Sequence, residues 1–197
     1  LSAEERELSV VTRIELPLKD QIAEESVFND FNQIQAKQLI LLGHIRHLEF
    51  YSPTEHISYE IDRNARKYSV QVSRNNGEVH RFRVYSPTSQ IEIPESVIES
   101  LEGKEREIFS KSPHVDVTVV VEMNDNGQIT PIQDAELYLF YPLRFRSGFR
   151  FLIHSYFVVN PERTALRASS FNSFLLKSIG SFIGTELLRT LRRARMN

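Results

Sequence analysis

Residues 68–85 read YSVQVSRNNGEVHRFRVY, two alternating runs on either side of Asn75-Asn76-Gly77. Alternation sends successive side chains to opposite faces of a strand. The Asn-Gly pair supplies the positive φ angles of a tight type I′ turn, so the segment predicts an antiparallel hairpin of residues 68–73 and 79–85. Working outward, a second hairpin is expected from residues 115–123 (VDVTVVVEM), through turn residues 124–127, to a strand over 135–141 beyond Pro131. Residues 45–51 end in Ser-Pro and residues 57–61 alternate, which gives two more strands. Between the hairpins, residues 94–101 predict a short helix with proline in its first turn.

Toward the amino terminus, residues 9–18 (SVVTRIELPL) are β-branched and apolar and stop at Pro17, as a strand end does. Residues 24–42 place Val27, Phe28, Phe31, Ile34, Leu41 and Leu42 nearer to a 3.6-residue period than to alternation, with Gly43 ending the run, so a helix is expected there. Toward the carboxyl terminus, residues 149–159 (FRFLIHSYFVV) form an apolar run long for one strand. A helix over 171–194 follows, with a core stripe of Phe171, Leu175, Ile179, Phe182, Ile183, Leu187 and Leu191. The tetrapeptide YSPT occurs at 51–54 and again at 85–88 without longer similarity around it, which suits strands leaving a sheet through Ser-Pro turns rather than a duplication.

At 197 residues, with 41% apolar and 10% aromatic content, the chain can bury one main core. It holds 24 basic and 26 acidic side chains, so no whole-molecule field draws it to nucleic acid or to an anionic membrane. The basic residues nonetheless gather late. From residue 143 onward Arg144, Arg146, Arg150, Arg163, Arg167, Lys177, Arg189, Arg192, Arg193 and Arg195 face only Glu162 and Glu186. The chain lacks cysteine, which removes disulfides and thiol chemistry and is compatible with a reducing compartment. It opens on Leu1 without an apolar run of signal or membrane length, so the expectation is a cytoplasmic segment of a longer protein with no membrane partner.

Little stand-alone chemistry is visible. The seven glycines are scattered singly, so no phosphate-cradling loop is expected. His44 and His47 stand without a third ligand in sequence, and no metal site is expected. His154, inside FLIHSYF, reads as a half-buried core histidine, and Ser147 and Ser155 lack the strained glycine-flanked turn of a nucleophile.

One stretch reads differently. Tyr-Pro-Leu at 141–143, Ser-Gly-Phe at 147–149, FLIHSYFVVNPER at 151–163 and a helix with the early asparagine Asn172 follow one another. This order resembles the second domain of GHKL ATPases of the heat-shock-90 and sacsin-repeat kind. Thr12-Arg13-Ile14-Glu15-Leu16-Pro17-Leu18 is similar to the closing strand of the ATP-binding domain in that family, although the glycine that usually precedes the strand is missing. Residues 52–134 carry no resemblance.

The resemblance implies an α+β fold of the ribosomal-protein-S5-domain-2 type, a mixed, mainly antiparallel sheet with helices on one face, and the hairpin-rich pattern is compatible with it. It also implies a division into residues 1–20, a closing strand or linker, and residues 21–197, a middle or transducer domain ending in a long helix. In such proteins a loop of the second domain delivers a cation to the γ-phosphate of ATP held, with Mg²⁺, by the preceding domain. By position that cation is Arg163, with Asn160 bracing the loop and Arg167 as the substitute if the register is shifted by one helical turn. The implied partners are the upstream ATP-binding domain, a second copy of the chain, and a client protein or nucleic acid. No ATP hydrolysis is expected of this chain by itself. The competing expectation is a binding module, in which the basic surface of Arg189, Arg192, Arg193 and Arg195, with Phe145, Phe149 and Tyr156, meets nucleic acid or an acidic protein through charge and stacking.

Overall fold

The computed structural model describes residues 14, 17, 19, 21–52 and 55–195. The strand expected over residues 9–18 lies outside the described residues but for Ile14 and Pro17, as does the boundary expected at residue 20. The described residues fall into two compact units, one within Leu1–Ile34 and Phe50–Ile57, the other within Gln35–Glu49 and Ser58–Asn197.

In the first unit, helix α1 (Gln21–Asn32) turns Phe28 and Phe31 toward Phe50, with ring centroids 5.7 and 4.4 Å away. The helix expected as one piece over 24–42 is interrupted. It ends at Asn32, and a second helix, α2 (Ala36–Leu39), starts after Gln35, whose extended backbone (φ −93°, ψ 143°) forms a capping box with Gln38. The apolar spacing hides this stop, because Ile34 keeps the period across the break.

The second unit carries most of the sheet. The strands are β1 (His47–Tyr51), β2 (His56–Asn64), β3 (Ser69–Arg74), β4 (Val79–Tyr85), β5 (Ile91–Glu92), β6 (His114–Val115), β7 (Val117–Met123), β8 (Ile129–Thr130), β9 (Glu136–Leu139), β10 (Tyr141–Arg146) and β11 (Leu152–Ser155), of which the end of β1 and the start of β2 belong to the first unit. Among the described residues nine strands form one sheet in the order β1-β2-β3-β4-β7-β11-β9-β10, with β8 also on β7, while β5 pairs with β6 apart from it. The β9–β11 pair is parallel. The pairs β2–β3, β3–β4, β4–β7, β7–β8, β7–β11 and β9–β10 are antiparallel. The fold is therefore α+β with a mixed, mainly antiparallel sheet.

The hairpin of β3 and β4 forms with a different turn. Gly77 N–H donates to the Arg74 carbonyl and Arg74 N–H to that of Glu78, and of the three loop residues only Gly77 has positive φ (92°). This is a type I turn closed by a left-handed glycine, which leaves Asn76 in ordinary right-handed backbone. The second hairpin is corrected as well. Strand β7 turns at residues 124–127 into the short β8, and β9 does not pair with β7 because β11 lies between them. The long strand expected over 149–159 shortens to the four residues of β11.

Helices α3 (Glu95–Glu99), α4 (Gly103–Lys111) and α5 (Ser170–Phe182) cover one face of the sheet. A π turn (Ile183–Leu187) and α6 (Leu188–Arg195) follow α5. Ile98, Leu101, Phe109, Phe171, Leu175, Ile179, Phe182, Ile183 and Leu187 form one buried cluster with Val117, Val119, Leu137, Leu139 and Ile153 of the sheet. The stripe expected of the last helix is the stripe that it buries, with Leu191 partly buried against it. Pro94 sits at the N-cap of α3, one position earlier than expected, and α4 has too few apolar residues, Ile108 and Phe109, to show a period.

On the other face of the strands, the register aligns Arg63, Val70 and Phe82 in one row. The Arg63 guanidinium donates to the carbonyls of Leu39, Ile40, Leu42 and Ile45, which closes the C-terminal end of α2. Val120, Leu152 and Tyr138 are also fully buried, so β7, β9 and β11 are apolar on both faces. Burial on both faces explains why the alternation of VDVT gives way to the continuous Val119-Val120-Val121.

Candidate functional site

The segment carrying Arg163 is a loop closed at three levels. At its base Asn172, 3% exposed, accepts from the Val158 N–H (3.0 Å) and donates through Nδ2 to the carbonyls of Val158 (2.6 Å) and Arg167 (2.8 Å). Its own N–H donates to Oγ of Ser169, the N-cap of α5. One buried amide thus ties both ends of the loop to the start of a helix.

Halfway up, Val159 and Leu166 form an isolated antiparallel bridge, and Asn160 N–H donates to the Ala165 carbonyl at 3.0 Å. Near the tip, Asn160 Oδ1 accepts from the N–H groups of Thr164 (2.8 Å) and Ala165 (3.0 Å), while its Nδ2 donates to Thr164 Oγ1 (3.0 Å). Asn160-Pro161-Glu162-Arg163 is a tight turn, with Arg163 N–H donating to the Asn160 carbonyl at 2.9 Å. Asparagine first and proline second suit the type I geometry.

Arg163 then stands at φ 55°, in the left-handed region that favours glycine. A bulky side chain held there costs on the order of 1 kcal/mol and persists only where surrounding bonds fix the backbone, as they do here. The residue is exposed, and its guanidinium folds back so that one terminal nitrogen donates to the Leu139 carbonyl at 3.0 Å, where β9 ends.

The structure therefore joins Asn160 and Arg163 in one hydrogen-bonded turn. Arg167 lies at the base of the loop, where its N–H donates to the Val158 carbonyl and its side chain is exposed. Arg189 and Arg192 are exposed on α6, a separate element, and share no hydrogen bond or ion pair with the loop among the described residues. The side chains of Arg193 and Arg195 lie outside the described residues. Sequence reasoning missed Asn172 and the Leu139 carbonyl as groups of the site. The only signal for the first is an asparagine at the start of an apolar stripe, and a backbone carbonyl leaves none.

The remaining candidates settle into structural positions. His47 pairs with Glu49 at 2.7 Å, and no three His, Asp or Glu side chains among the described residues converge as a metal site would require. His154 sits in β11 with Nε2 buried and, among the described residues, without a hydrogen-bond partner. Burial lowers its pKa, partly opposed by Asp116. Ser155 is fully buried and donates to the Asp116 carbonyl, and Ser147 donates to that of Ala135. Tyr156 does not join Phe145 and Phe149 on the surface: it packs against the core, edge-on to Phe109, and burial raises its pKa.

No family model, curated protein or solved structure matches the chain. Among the described residues no helix is long and apolar enough to cross a membrane.

Proposed function

We propose that this chain is the transducer domain of a heat-shock-90-like ATPase, in which Arg163 meets the γ-phosphate of an ATP held, with Mg²⁺, by a preceding domain. The observation that carries the reading is the presentation of Arg163. A clamped, internally bonded loop carries the guanidinium at its tip, with one replaceable partner.

A comparison within the molecule separates that arrangement from a structural one. Arg63 is partly buried and binds four backbone carbonyls, so removing it leaves several acceptors unpaired. Arg163 is exposed and binds one. A single hydrogen bond from a charged donor to a neutral acceptor contributes about 1.5–3 kcal/mol at most, less in contact with water. A phosphate offers the guanidinium a charged acceptor and two parallel N–H···O bonds in place of one to a neutral carbonyl. The exchange of the Leu139 carbonyl for a phosphate is therefore downhill once domain closure brings the two within reach. Hydrolysis of a phosphoanhydride needs charge stabilisation and positioning, and an arginine supplies both at any working pH.

The test is amide exchange on a longer chain that includes the ATP-binding domain. With a non-hydrolysable ATP analogue bound, peptides covering residues 159–167 exchange more slowly than with ADP, because closure buries the tip. If exchange over that loop is indifferent to the nucleotide while the analogue is bound, the reading fails. Without that domain, the 197-residue chain shows no heat of ATP binding by calorimetry.

A further inference from the structure

Strand β10 closes one edge of the sheet. Along it and the turn beyond, residues 140–150 (FYPLRFRSGFR) leave Phe140 48%, Tyr141 57%, Phe145 45% and Phe149 43% exposed. Isolated exposed apolar side chains are ordinary, but four exposed aromatic rings within eleven residues concentrate apolar surface in one segment. Two of the rings are braced from beneath. Phe149 stacks on Phe151 at 4.9 Å, and Phe140 lies edge-on to His154 at 5.2 Å. Rings held this way lose little freedom when something settles on them.

The same residues contain Arg144, Arg146 and Arg150 and no carboxylate, in a chain whose net charge is −2. Asp134 pairs with Arg146 at 3.1 Å, but both side chains are mostly exposed, so the pair is weak and exchangeable. A protein strand is a poor occupant of this edge. Pro142 has no N–H to give, and the pairing of β10 with β9 is irregular between Pro142 and Arg146; both features blunt strand addition. What fits is a polyanion with flat faces to stack.

We propose that this edge binds single-stranded nucleic acid, with bases stacking on Tyr141, Phe145 and Phe149 and phosphates meeting Arg146 and Arg150. A duplex keeps its base faces inside the stack and offers only charge. Arg163 meets β9 at Leu139, the register partner of Tyr141, so the two sites adjoin, but the oligonucleotide test needs no ATP-binding domain and its outcome does not depend on the ATPase reading.

The test is fluorescence anisotropy of the whole chain with labelled oligonucleotides of ~20 residues, single-stranded DNA, single-stranded RNA and duplex DNA, at low and at moderate salt. Saturable binding of the single strands is expected, clearly tighter than of the duplex. The double variant Phe145→Ala/Phe149→Ala weakens it by about tenfold or more. Phe145→Trp preserves it, which keeps the test decisive should the double variant fold poorly. Arg146→Gln with Arg150→Gln lowers affinity and flattens the log–log salt dependence by about 1.4. Absence of binding at ~100 μM, weaker than ordinary non-specific affinities, overturns the proposal. So does equal binding of duplex, retention of affinity in the double variant, or binding of an acidic protein without any oligonucleotide.

Discussion

At the scale of single residues, two arginines that bind carbonyls make opposite forecasts. Arg63→Ala strands several acceptors at the end of α2 and should cost about 2–3 kcal/mol in urea unfolding, whereas Arg163→Ala should cost under about 1 kcal/mol. If the two losses were equal, Arg163 would be a structural residue. Asn172→Ala removes a buried amide that serves three loop groups, and about 3 kcal/mol is expected, together with faster amide exchange over residues 159–167. His154 gives a pH signature. Burial lowers its folded-state pKa below the unfolded value, so the unfolded chain takes up the proton first. The stability tied to its neutral ring is complete above about pH 6.5 and falls as pH drops from there toward the folded pKa. His154→Phe should flatten the melting temperature over that window.

At the scale of elements, what could be read in the sequence depended on how local the deciding interaction is. The β3–β4 hairpin was legible because its pairing and its turn lie within eighteen residues, yet the turn type was not, since Asn-Gly also serves a loop in which only the glycine needs positive φ. Gly77→Ala should therefore cost about 1 kcal/mol, and Asn76→Gly should add nothing, as the melting temperatures of the two variants would show. The partner of β7 was not legible. Strand β11 inserts beside it from some thirty residues away, and the parallel β9–β11 pair is decided by packing on both faces rather than by any turn. The stripe on α5 was legible, but not the π turn after it. There Glu186 accepts from the N–H (3.0 Å) and Oγ1 (2.8 Å) of Thr88, which holds the segment after β4 to the helix and lowers the carboxyl pKa. The latch is present above the ordinary glutamate pKa and lost as pH falls through the lowered one. Being exposed, it should change amide exchange near Thr88 in Glu186→Ala without moving the melting temperature appreciably.

At the scale of the whole molecule, the α+β class and the mainly antiparallel sheet are what the family resemblance implies and the hairpin-rich strand pattern is compatible with, while the candidate site was legible only as one arginine in an Asn-Pro-Glu-Arg turn. Its presentation depends on a carbonyl at the end of β9 and an amide at the start of α5, groups that meet only when the sheet is assembled. On the proposed reading the chain supplies no complete catalytic centre, and the task of Arg163 depends on another domain. The kinetic split of Arg163→Ala tests that most directly, measured in a chain that includes the ATP-binding domain. The expected result is a turnover at saturating ATP lower by about 10²-fold or more, with nucleotide affinity within about threefold of the parent. Wild-type turnover in the variant, or a loss of affinity equal to the loss of rate, would contradict the assignment.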